Sequence, residues 1–159
     1  MKKLRIYLDT SVINFLFADD APEKRDITIE FFEEYIAKNK FSTFASDVVI
    51  EELERTKDEI KREKLISILA KYNIGLFYLT EEAILLSEHY LVKGIIPKKK
   101  VEDARHIAIS TINECDVLVS WNYQHLANVN KERWIHILNT EAVYNYPLKL
   151  TTPLEVMGE

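Results

Sequence analysis

The feature that most constrains this chain is a regular alternation of short apolar segments with longer amphipathic ones. Apolar runs of strand length predict five β-strands. They cover residues 4–8, 41–45, 76–79, 117–119 and 135–138. The fourth run is apolar throughout, which is typical of a parallel strand that is buried on both faces.

Helix signals fill the intervals between these runs. Ser46 and Thr80 are predicted to cap helices, Gly94 to end one, and Thr140 to cap a last short helix. The other predicted helices cover residues 23–39, 47–55, 58–72, 81–93 and 101–114. Strands that alternate with helices from end to end predict an α/β fold, with a doubly wound, largely parallel sheet between helical layers. We expect one domain over residues 1–159.

Composition excludes several classes of protein. The 21 Lys and Arg residues against 26 Asp and Glu residues give a net charge of −5, so any contact with nucleic acid must be local. The 3 glycines are too scattered for a phosphate-binding glycine loop. The single cysteine, Cys115, cannot form an intramolecular disulfide, and no apolar run is long enough to span a membrane. These features predict a soluble cytoplasmic protein.

Polar residues that follow strands are the candidate site residues, because ligands of doubly wound sheets bind beyond the carboxyl ends of the strands. Asp9 directly follows the first predicted strand, and Asn122 lies shortly after the fourth. At about 100° per helical residue, Glu52 borders the buried face of its helix, whereas Glu51 points to water. Each has an ordinary alternative: Asp9 can simply cap a helix, Asn122 can be a turn residue, and Glu52 can be a solvated helix residue.

The helix of residues 101–114 repeats this pattern. Its packed stripe contains Ala104 and Ile107, and Asp103 lies at the edge of that stripe. An acid in the first turn of a helix can also do no more than compensate the helix dipole. His106 lies almost opposite the stripe, so we expect it to point outward.

Three carboxylates that meet at one edge of a sheet need a counter-charge. At about 5 Å and an effective dielectric constant near 20, each pair repels by roughly 3 kcal/mol. Cations or protons must therefore neutralise Asp9, Glu52 and Asp103 if these side chains meet. Oxygen ligands suit Mg²⁺ or Mn²⁺, which can activate water and polarise a phosphoryl oxygen. The three acids together therefore predict hydrolysis of a phosphodiester.

Four motifs, in this order, resemble those of the PIN-domain ribonucleases, and especially those of the VapC-like toxins of type II toxin–antitoxin pairs. The first three acids are matched by Asp9 in YLDTSVI, Glu52 in SDVVIEEL and Asp103 in EDARHIA. The fourth motif is ordinarily Thr or Ser, any residue, then Asp. Here it is Ser120, Trp121 and Asn122, so an amide replaces the fourth acid.

That resemblance implies a PIN-like three-layer α/β/α sandwich with a five-stranded sheet, and RNA cleavage that depends on Mg²⁺ or Mn²⁺. The catalytic residues would be Asp9, Glu52, Asp103 and Asn122, and the three acids would be the metal ligands. Because one acid is missing, we expect one resident ion, held chiefly by Asp9 and Asp103, and a second that arrives with RNA. The implied partners are RNA, a cognate antitoxin protein and a second copy of the chain.

Residues beside the motifs are expected to support this chemistry. Those expected to hydrogen-bond the metal-binding carboxylates are Thr10, Ser11, Asn14 and Ser120. Those that could contact RNA are Lys98, Lys99, Lys100, Arg105 and His125. His125 could also shuttle protons in place of the lost acid. Trp121 is expected to be a buried aromatic residue rather than a surface for an RNA base.

Two other classes of enzyme are excluded because the chain lacks residues that their catalysis requires. Haloacid-dehalogenase-type phosphatases need a second Asp where Ser11 stands, and receiver domains need an acceptor Asp where Thr80 and Glu81 stand. The stronger alternative is a non-catalytic PIN-like module that binds RNA or protein, because Asn122 replaces an acid. A nuclease without a cognate antitoxin is a third interpretation.

Overall fold

The computed structural model describes residues 2–158, and its centre is a five-stranded sheet in which every neighbouring pair of strands is parallel. The strands are β1 (Arg5–Leu8), β2 (Ser42–Ser46), β3 (Gly75–Phe77), β4 (Val117–Val119) and β5 (Lys149–Thr151). Their spatial order is β3-β2-β1-β4-β5. The chain therefore moves from β1 to one edge of the sheet, crosses back over β1, and finishes at the other edge.

Helices connect the strands, and most begin at recognisable capping residues. They are α1 (Thr10–Asn14), α2 (Pro22–Phe31), α3 (Asp47–Glu54), α4 (Glu59–Lys71), α5 (Glu81–Val92), α6 (Val101–Ile112), α7 (Val129–Glu141) and α8 (Pro153–Val156). A 3₁₀ turn, Phe15–Phe17, follows α1, and a π-helical turn, Phe32–Ile36, continues α2. Thr80 caps α5 as predicted, since its hydroxyl accepts a hydrogen bond from the N–H of Ala83 at 3.2 Å.

The helices form a layer on each face of the sheet. Parallel strands are joined by right-handed crossovers, so the reversal of direction at β3 puts α1–α4 on one face and α5–α7 on the other. The packing of α5 against α6 and α7, and of α1 against α3 and α4, agrees with this assignment. The fold is a three-layer α/β/α sandwich, as the sequence predicts. Within residues 2–158, no helix has the length and apolar content that crossing a bilayer requires.

The central strands carry the core of the protein. Ile6, Tyr7 and Leu8 of β1 have no exposed surface, and neither have Leu118 and Val119 of β4. This burial on both faces explains why both strands are apolar runs rather than alternating ones.

The prediction of a fifth strand at residues 135–138 is wrong. These residues lie inside α7, where Ile135 and Leu138 are buried and Ile137 is 47% exposed. A short apolar run does not distinguish a strand from a buried helix segment, and here the helix begins upstream at its cap, Asn128. The fifth strand is instead β5.

The prediction that Thr140 caps a last helix is also wrong. Thr140 lies in the last turn of α7, and its hydroxyl donates a hydrogen bond to the backbone oxygen of His136 at 2.9 Å. This bond joins residues four apart in one helix, which a Ser or Thr hydroxyl makes readily inside helices.

Candidate functional site

The candidate site lies at the carboxyl ends of β1 and β4, where the strand order reverses. Leu8 pairs with Val119, so Asp9 and Ser120 leave the sheet side by side. The N–H of Asp9 donates a hydrogen bond to the backbone oxygen of Val119 at 3.2 Å. This is the position at which doubly wound sheets place their ligands.

Two hydroxyls hold the carboxylate of Asp9, which is 4% exposed. Ser11 donates a hydrogen bond to Oδ1 at 2.6 Å, and Ser120 donates one to Oδ2 at 2.6 Å. Asp9 also caps α1, because Oδ1 accepts from the N–H of Val12 at 3.4 Å. The capping role and a position in the site are therefore compatible.

Glu52 lies on α3, half-buried, and its Oε1 accepts two hydrogen bonds. Thr10 donates one from Oγ1 at 2.8 Å, and Nε2 of His106 lies 2.7 Å away. Glu51 is exposed, so the helical geometry predicted the orientation of both acids.

Asp103 lies in the first turn of α6, half-buried, and contacts Asn122. Nδ2 of Asn122 donates a hydrogen bond to Oδ2 of Asp103 at 3.3 Å. Oδ1 of Asn122 accepts from the backbone N–H groups of Gln124 and His125, both at 3.1 Å. Asn122 therefore shapes its own turn with its oxygen and presents its amide to Asp103.

Burial and mutual repulsion raise the pKa values of two of the acids, Asp9 and Asp103. Burial raises the pKa of the Asp9 carboxyl, although His106 and the two serine hydroxyls oppose that rise and Asp103 adds to it. Burial likewise raises the pKa of Asp103, which the charge of His106 opposes and that of Glu52 increases. These electrostatic effects mean that the three carboxylates act on one another.

Glu52 differs from the other two acids. Burial acts to raise its pKa, but the hydrogen bond and charge of His106, with the hydroxyl of Thr10, outweigh burial and lower it. Glu52 is therefore held as a carboxylate.

The prediction that His106 points outward is wrong. Its side chain is almost fully buried, with Nε2 on Glu52 and Nδ1 2.6 Å from the hydroxyl of Tyr7. Burial acts to lower the pKa of His106, but the hydrogen bond and charges of Glu52, Asp9 and Asp103 outweigh it and raise that pKa. The helix stripe was misleading because α6 is buried on several sides, so a residue opposite the stripe also meets protein.

Tyr7 and Ser46 complete a buried hydrogen-bonded network that the sequence did not reveal. The Tyr7 hydroxyl lies 2.7 Å from Oγ of Ser46 and bridges it to His106. Ser46 stands before α3, as predicted, but its hydroxyl bonds to Tyr7 instead of capping that helix. A tyrosine within a strand buried on both faces was the available signal, because a buried phenol requires a hydrogen-bond partner.

The remaining predicted residues lie at different distances from the acids. Asn14 is exposed, and within residues 2–158 no hydrogen bond links its side chain to the carboxylates. Lys98, Lys99 and Lys100 are exposed just before α6, and the charge of Lys100 acts on Asp103. Nε of Arg105 is buried and has no hydrogen-bond partner among the described residues.

His125 is 8% exposed and lies among lysines. Burial lowers its pKa, and the charges of Lys131, Lys100 and Lys99 lower it further. Its Nδ1 is buried without a hydrogen-bond partner among residues 2–158. His125 therefore lies at a locally basic side of the acidic site.

Comparison with known proteins identifies the fold. No protein-family model matches the chain, and no curated protein matches it. Among solved structures, the chain is similar to the crystal structure of Mycobacterium tuberculosis VapC20, a Sarcin-Ricin loop cleaving toxin. The TM-score is 0.59 at 16% sequence identity, and the match covers 76% of this chain and 92% of VapC20. The fold is PIN-like. At this identity the likeness establishes the PIN-like fold alone, so the roles of individual side chains must come from their geometry.

The PIN-like site suits a divalent ion that keeps several water ligands better than an ion that protein side chains surround completely. Within residues 2–158, no three His, Cys, Asp or Glu side chains are arranged to hold a metal ion. Mg²⁺ is commonly held by only one or two carboxylates and keeps several waters. Asp9 and Asp103 would supply such a pair, and because burial raises the pKa of both carboxyls, a bound cation would stabilise their charged forms. Each carboxylate has about four acceptor positions, so the hydrogen bonds present leave room for ligation.

Proposed function

We propose that this protein is a metal-dependent endoribonuclease of the PIN type, related in activity to the VapC-like toxins. The observation that supports this most strongly is the connection between two acids at the switch point of a PIN-like sheet. Ser120 donates to Asp9 and accepts from the N–H of Asn122 at 2.9 Å, and the amide of Asn122 donates to Asp103. Two carboxylates joined in this way would offer oxygen ligands to one hard cation, which is the kind of site that Mg²⁺ uses in proteins.

Each acid has a separate role in this proposal. A bound Mg²⁺ or Mn²⁺ would supply an acidified water and polarise the scissile phosphoryl group. Asp9 and Asp103 would hold the ion, while Ser11 and Ser120 fix the orientation of Asp9. The hydrogen bond from Thr10 likewise fixes the orientation of Glu52.

Glu52 would orient the attacking water and accept its proton. Its Oε1 is fixed by Thr10 and His106, whereas no hydrogen bond within residues 2–158 involves Oε2. Because His106 and Thr10 lower the pKa of Glu52, the side chain is deprotonated and Oε2 can accept a hydrogen bond from the water. Attack by water on phosphorus with departure of the 3′ oxygen leaves a 5′-phosphate and a 3′-hydroxyl.

The RNA backbone would cross the lysine-rich side of the site. Lys99 and Lys100 lie near His125, and Lys98 and Arg105 extend the same basic region along the chain. Positive side chains beside the acids compensate for a net charge of −5, which otherwise disfavours RNA. VapC20 is a toxin that cleaves the Sarcin-Ricin loop. By analogy we propose structured RNA as the substrate, an antitoxin as a binding partner, and a homodimer as the assembly.

A non-catalytic PIN-like module that binds RNA or protein is the second candidate. It is favoured by Asn122, whose oxygen serves its own turn and which adds no charge to the site. Such a module would bind RNA without forming products.

A cleavage assay separates the two candidates. The protein is incubated with structured and single-stranded RNA in Mg²⁺, in Mn²⁺ and in EDTA, and products are resolved by length. We expect cleavage only with metal. Asp103→Asn should reduce cleavage by more than the roughly 10- to 100-fold that is typical of contacts outside the ligand shell.

Glu51→Gln is the matched control, because Glu51 is an exposed acid of α3 that points away from the site. It should cleave like the wild type. RNA affinity without any product in Mg²⁺ or Mn²⁺ would exclude the nuclease and leave the binding module.

A further inference from the structure

An aromatic cluster adjoins the acidic site on the side of α2. Trp121 is 5% exposed and precedes Asn122. Its indole N–H donates to Oγ1 of Thr28 at 2.9 Å, and its backbone N–H donates to Oγ of Ser11 at 3.0 Å. Trp121 is buried, as expected, and fixes the end of β4 to α2. Its ring is not available to a ligand.

Tyr123 is the exposed ring of this cluster. It directly follows Asn122, is 51% exposed, and meets Trp121 edge to face with the ring centroids 6.3 Å apart. Its backbone oxygen accepts a hydrogen bond from Nδ2 of Asn128 at 3.0 Å. An aromatic surface is therefore held in place one residue from the side chain that contacts Asp103.

Lys24 adds a positive charge to this surface. Its Nζ lies 5.0 Å from the ring centroid of Tyr123 and 5.6 Å from the ring centroids of both Trp121 and Phe15. Its neighbour Arg25 pairs with Asp19 and Asp26, whereas no carboxylate within residues 2–158 pairs with Lys24. The ammonium group is thus held by aromatic rings and keeps its charge available to an anion.

We propose that Tyr123 and Lys24 form a subsite for one unpaired nucleotide of RNA, with the base stacked on Tyr123 and the adjoining phosphate paired with Lys24. This inference rests on the proposed function for the identity of RNA as substrate. Every base has a π-face, so a tyrosine ring binds bases with little regard to sequence.

The nucleotide must be unpaired because a base pair within a helix has both faces covered by its neighbours. Recognition of RNA by aromatic stacking is therefore directed at loops, bulges and ends. The subsite accordingly favours a loop over a continuous duplex.

Affinity in EDTA tests the subsite without cleavage. The probes are a fluorescent single-stranded RNA of mixed sequence and the same strand in a duplex. Tyr123→Leu removes the flat ring and keeps apolar volume, so it should weaken binding of the single strand by between about 5- and 150-fold. Tyr123→Phe keeps the ring and should remain within about 2-fold of the wild type, since stacking does not need the hydroxyl. Duplex affinity should not respond to Tyr123→Leu.

Salt dependence tests Lys24. Loss of one phosphate contact to a single strand lowers the slope of log K against log salt by about 0.7, and Lys24→Met should show this change. Lys40→Met is the matched control, because Nζ of Lys40 lies 4.7 Å from the ring centroid of Tyr35. Lys40 precedes β2, at the amino end of the strands, whereas the site lies at their carboxyl ends. It should leave the slope unchanged.

Two results overturn the subsite: single-strand affinity that Tyr123→Leu leaves unchanged, and an equal loss with Tyr123→Phe. Thermal unfolding of each variant establishes that it is folded. If Tyr123→Leu impairs binding of a protein partner but not of RNA, the aromatic surface is a protein interface and the proposal fails. Binding that depends on Tyr123 in a protein that never cleaves RNA in Mg²⁺ supports the subsite and refutes the nuclease.

Discussion

His106 links the candidate catalytic chemistry to the core of the protein. One ring nitrogen contacts Glu52 and the other contacts Tyr7, whose hydroxyl reaches Ser46. Every member of this network has a partner in a region from which water is largely excluded. Removal of one member therefore leaves another unsatisfied, which costs about 1–3 kcal/mol for a neutral group and more for a charged one.

Substitution of His106 should separate orientation of Glu52 from general stability. His106→Ala removes the donor to Glu52 and should lower kcat by about 10- to 100-fold with a smaller change in KM. His106→Gln retains an N–H donor and should recover most of that loss. Steady-state cleavage kinetics provide the measurement. Equal kcat values for both variants, each folded by circular dichroism, would contradict a positioning role.

The pKa of His106 predicts how the stability of the metal-free protein depends on pH. Its folded pKa is raised above the ordinary value of 6.5, so its contribution is fully present below that value. That contribution is lost as pH rises through the folded pKa. Asp9 and Asp103 act in the same direction at lower pH, because burial raises the pKa of each above 3.8. Urea denaturation in EDTA should therefore show a falling free energy of unfolding above pH 6.5.

His106→Gln should remove this loss of stability above pH 6.5. His136→Gln, at an exposed position of α7, should retain it. A loss of the same size in both variants would show that another group is responsible.

The positions of the acids could be predicted from the sequence, but the network around them could not. Asp9 and Asn122 follow apolar strands, and the helical angle distinguishes Glu52 from Glu51; both signals are local. The orientation of His106 depends on what packs around α6, which the stripe of a single helix does not encode. The contact between Tyr7 and Ser46 joins residues 39 positions apart and required the register of β1 and β2.

At the scale of elements, four strands could be predicted and the fifth could not. The four predicted segments agree with the observed strands to within two residues at each end. In contrast, β5 begins with the exposed Lys149 and contains a single aliphatic residue, Leu150. So short a segment has no periodicity, and its identity comes from pairing with β4. The apolar run in α7 was the stronger signal and was misleading.

Two isoleucines of α7 distinguish the helix from the predicted strand. Ile135 and Ile137 would share one face of a strand, but in the helix Ile135 is buried and Ile137 is 47% exposed. Ile135→Ala should lower the free energy of unfolding by about 2–5 kcal/mol. Ile137→Ala should change it by less than about 0.5 kcal/mol. Urea denaturation provides both values, and similar losses at both positions would contradict the helix.

At the scale of the whole molecule, the acids are a source of instability that a cation can relieve. Burial of Asp9 and Asp103 disfavours their charged forms, and the protein carries a net charge of −5. Any ion that binds the folded state alone stabilises it, by about 2.7 kcal/mol at 100 times its Kd. We therefore expect the metal-free protein to be less stable than the metal-bound protein, because the acids that would bind the ion are buried.

Thermal unfolding with and without Mg²⁺ measures this difference in stability. The wild type should gain stability with Mg²⁺, and Asp103→Asn should lose that gain while its metal-free form is at least as stable as the wild type. Glu51→Gln should keep the gain, because Glu51 is exposed and points away from the site. A Mg²⁺ effect that persists in Asp103→Asn would place the ion elsewhere on the molecule.

A crystal of the protein soaked in Mn²⁺ tests the central claim most directly, because anomalous scattering locates the ion and counts it. Without RNA we expect one manganese peak, within the roughly 2.0–2.6 Å ligation distance of both the Asp9 and the Asp103 carboxylates. A well-ordered site without a peak there, or a peak that only one of these acids approaches, would contradict the claim that the two acids form a shared cation site.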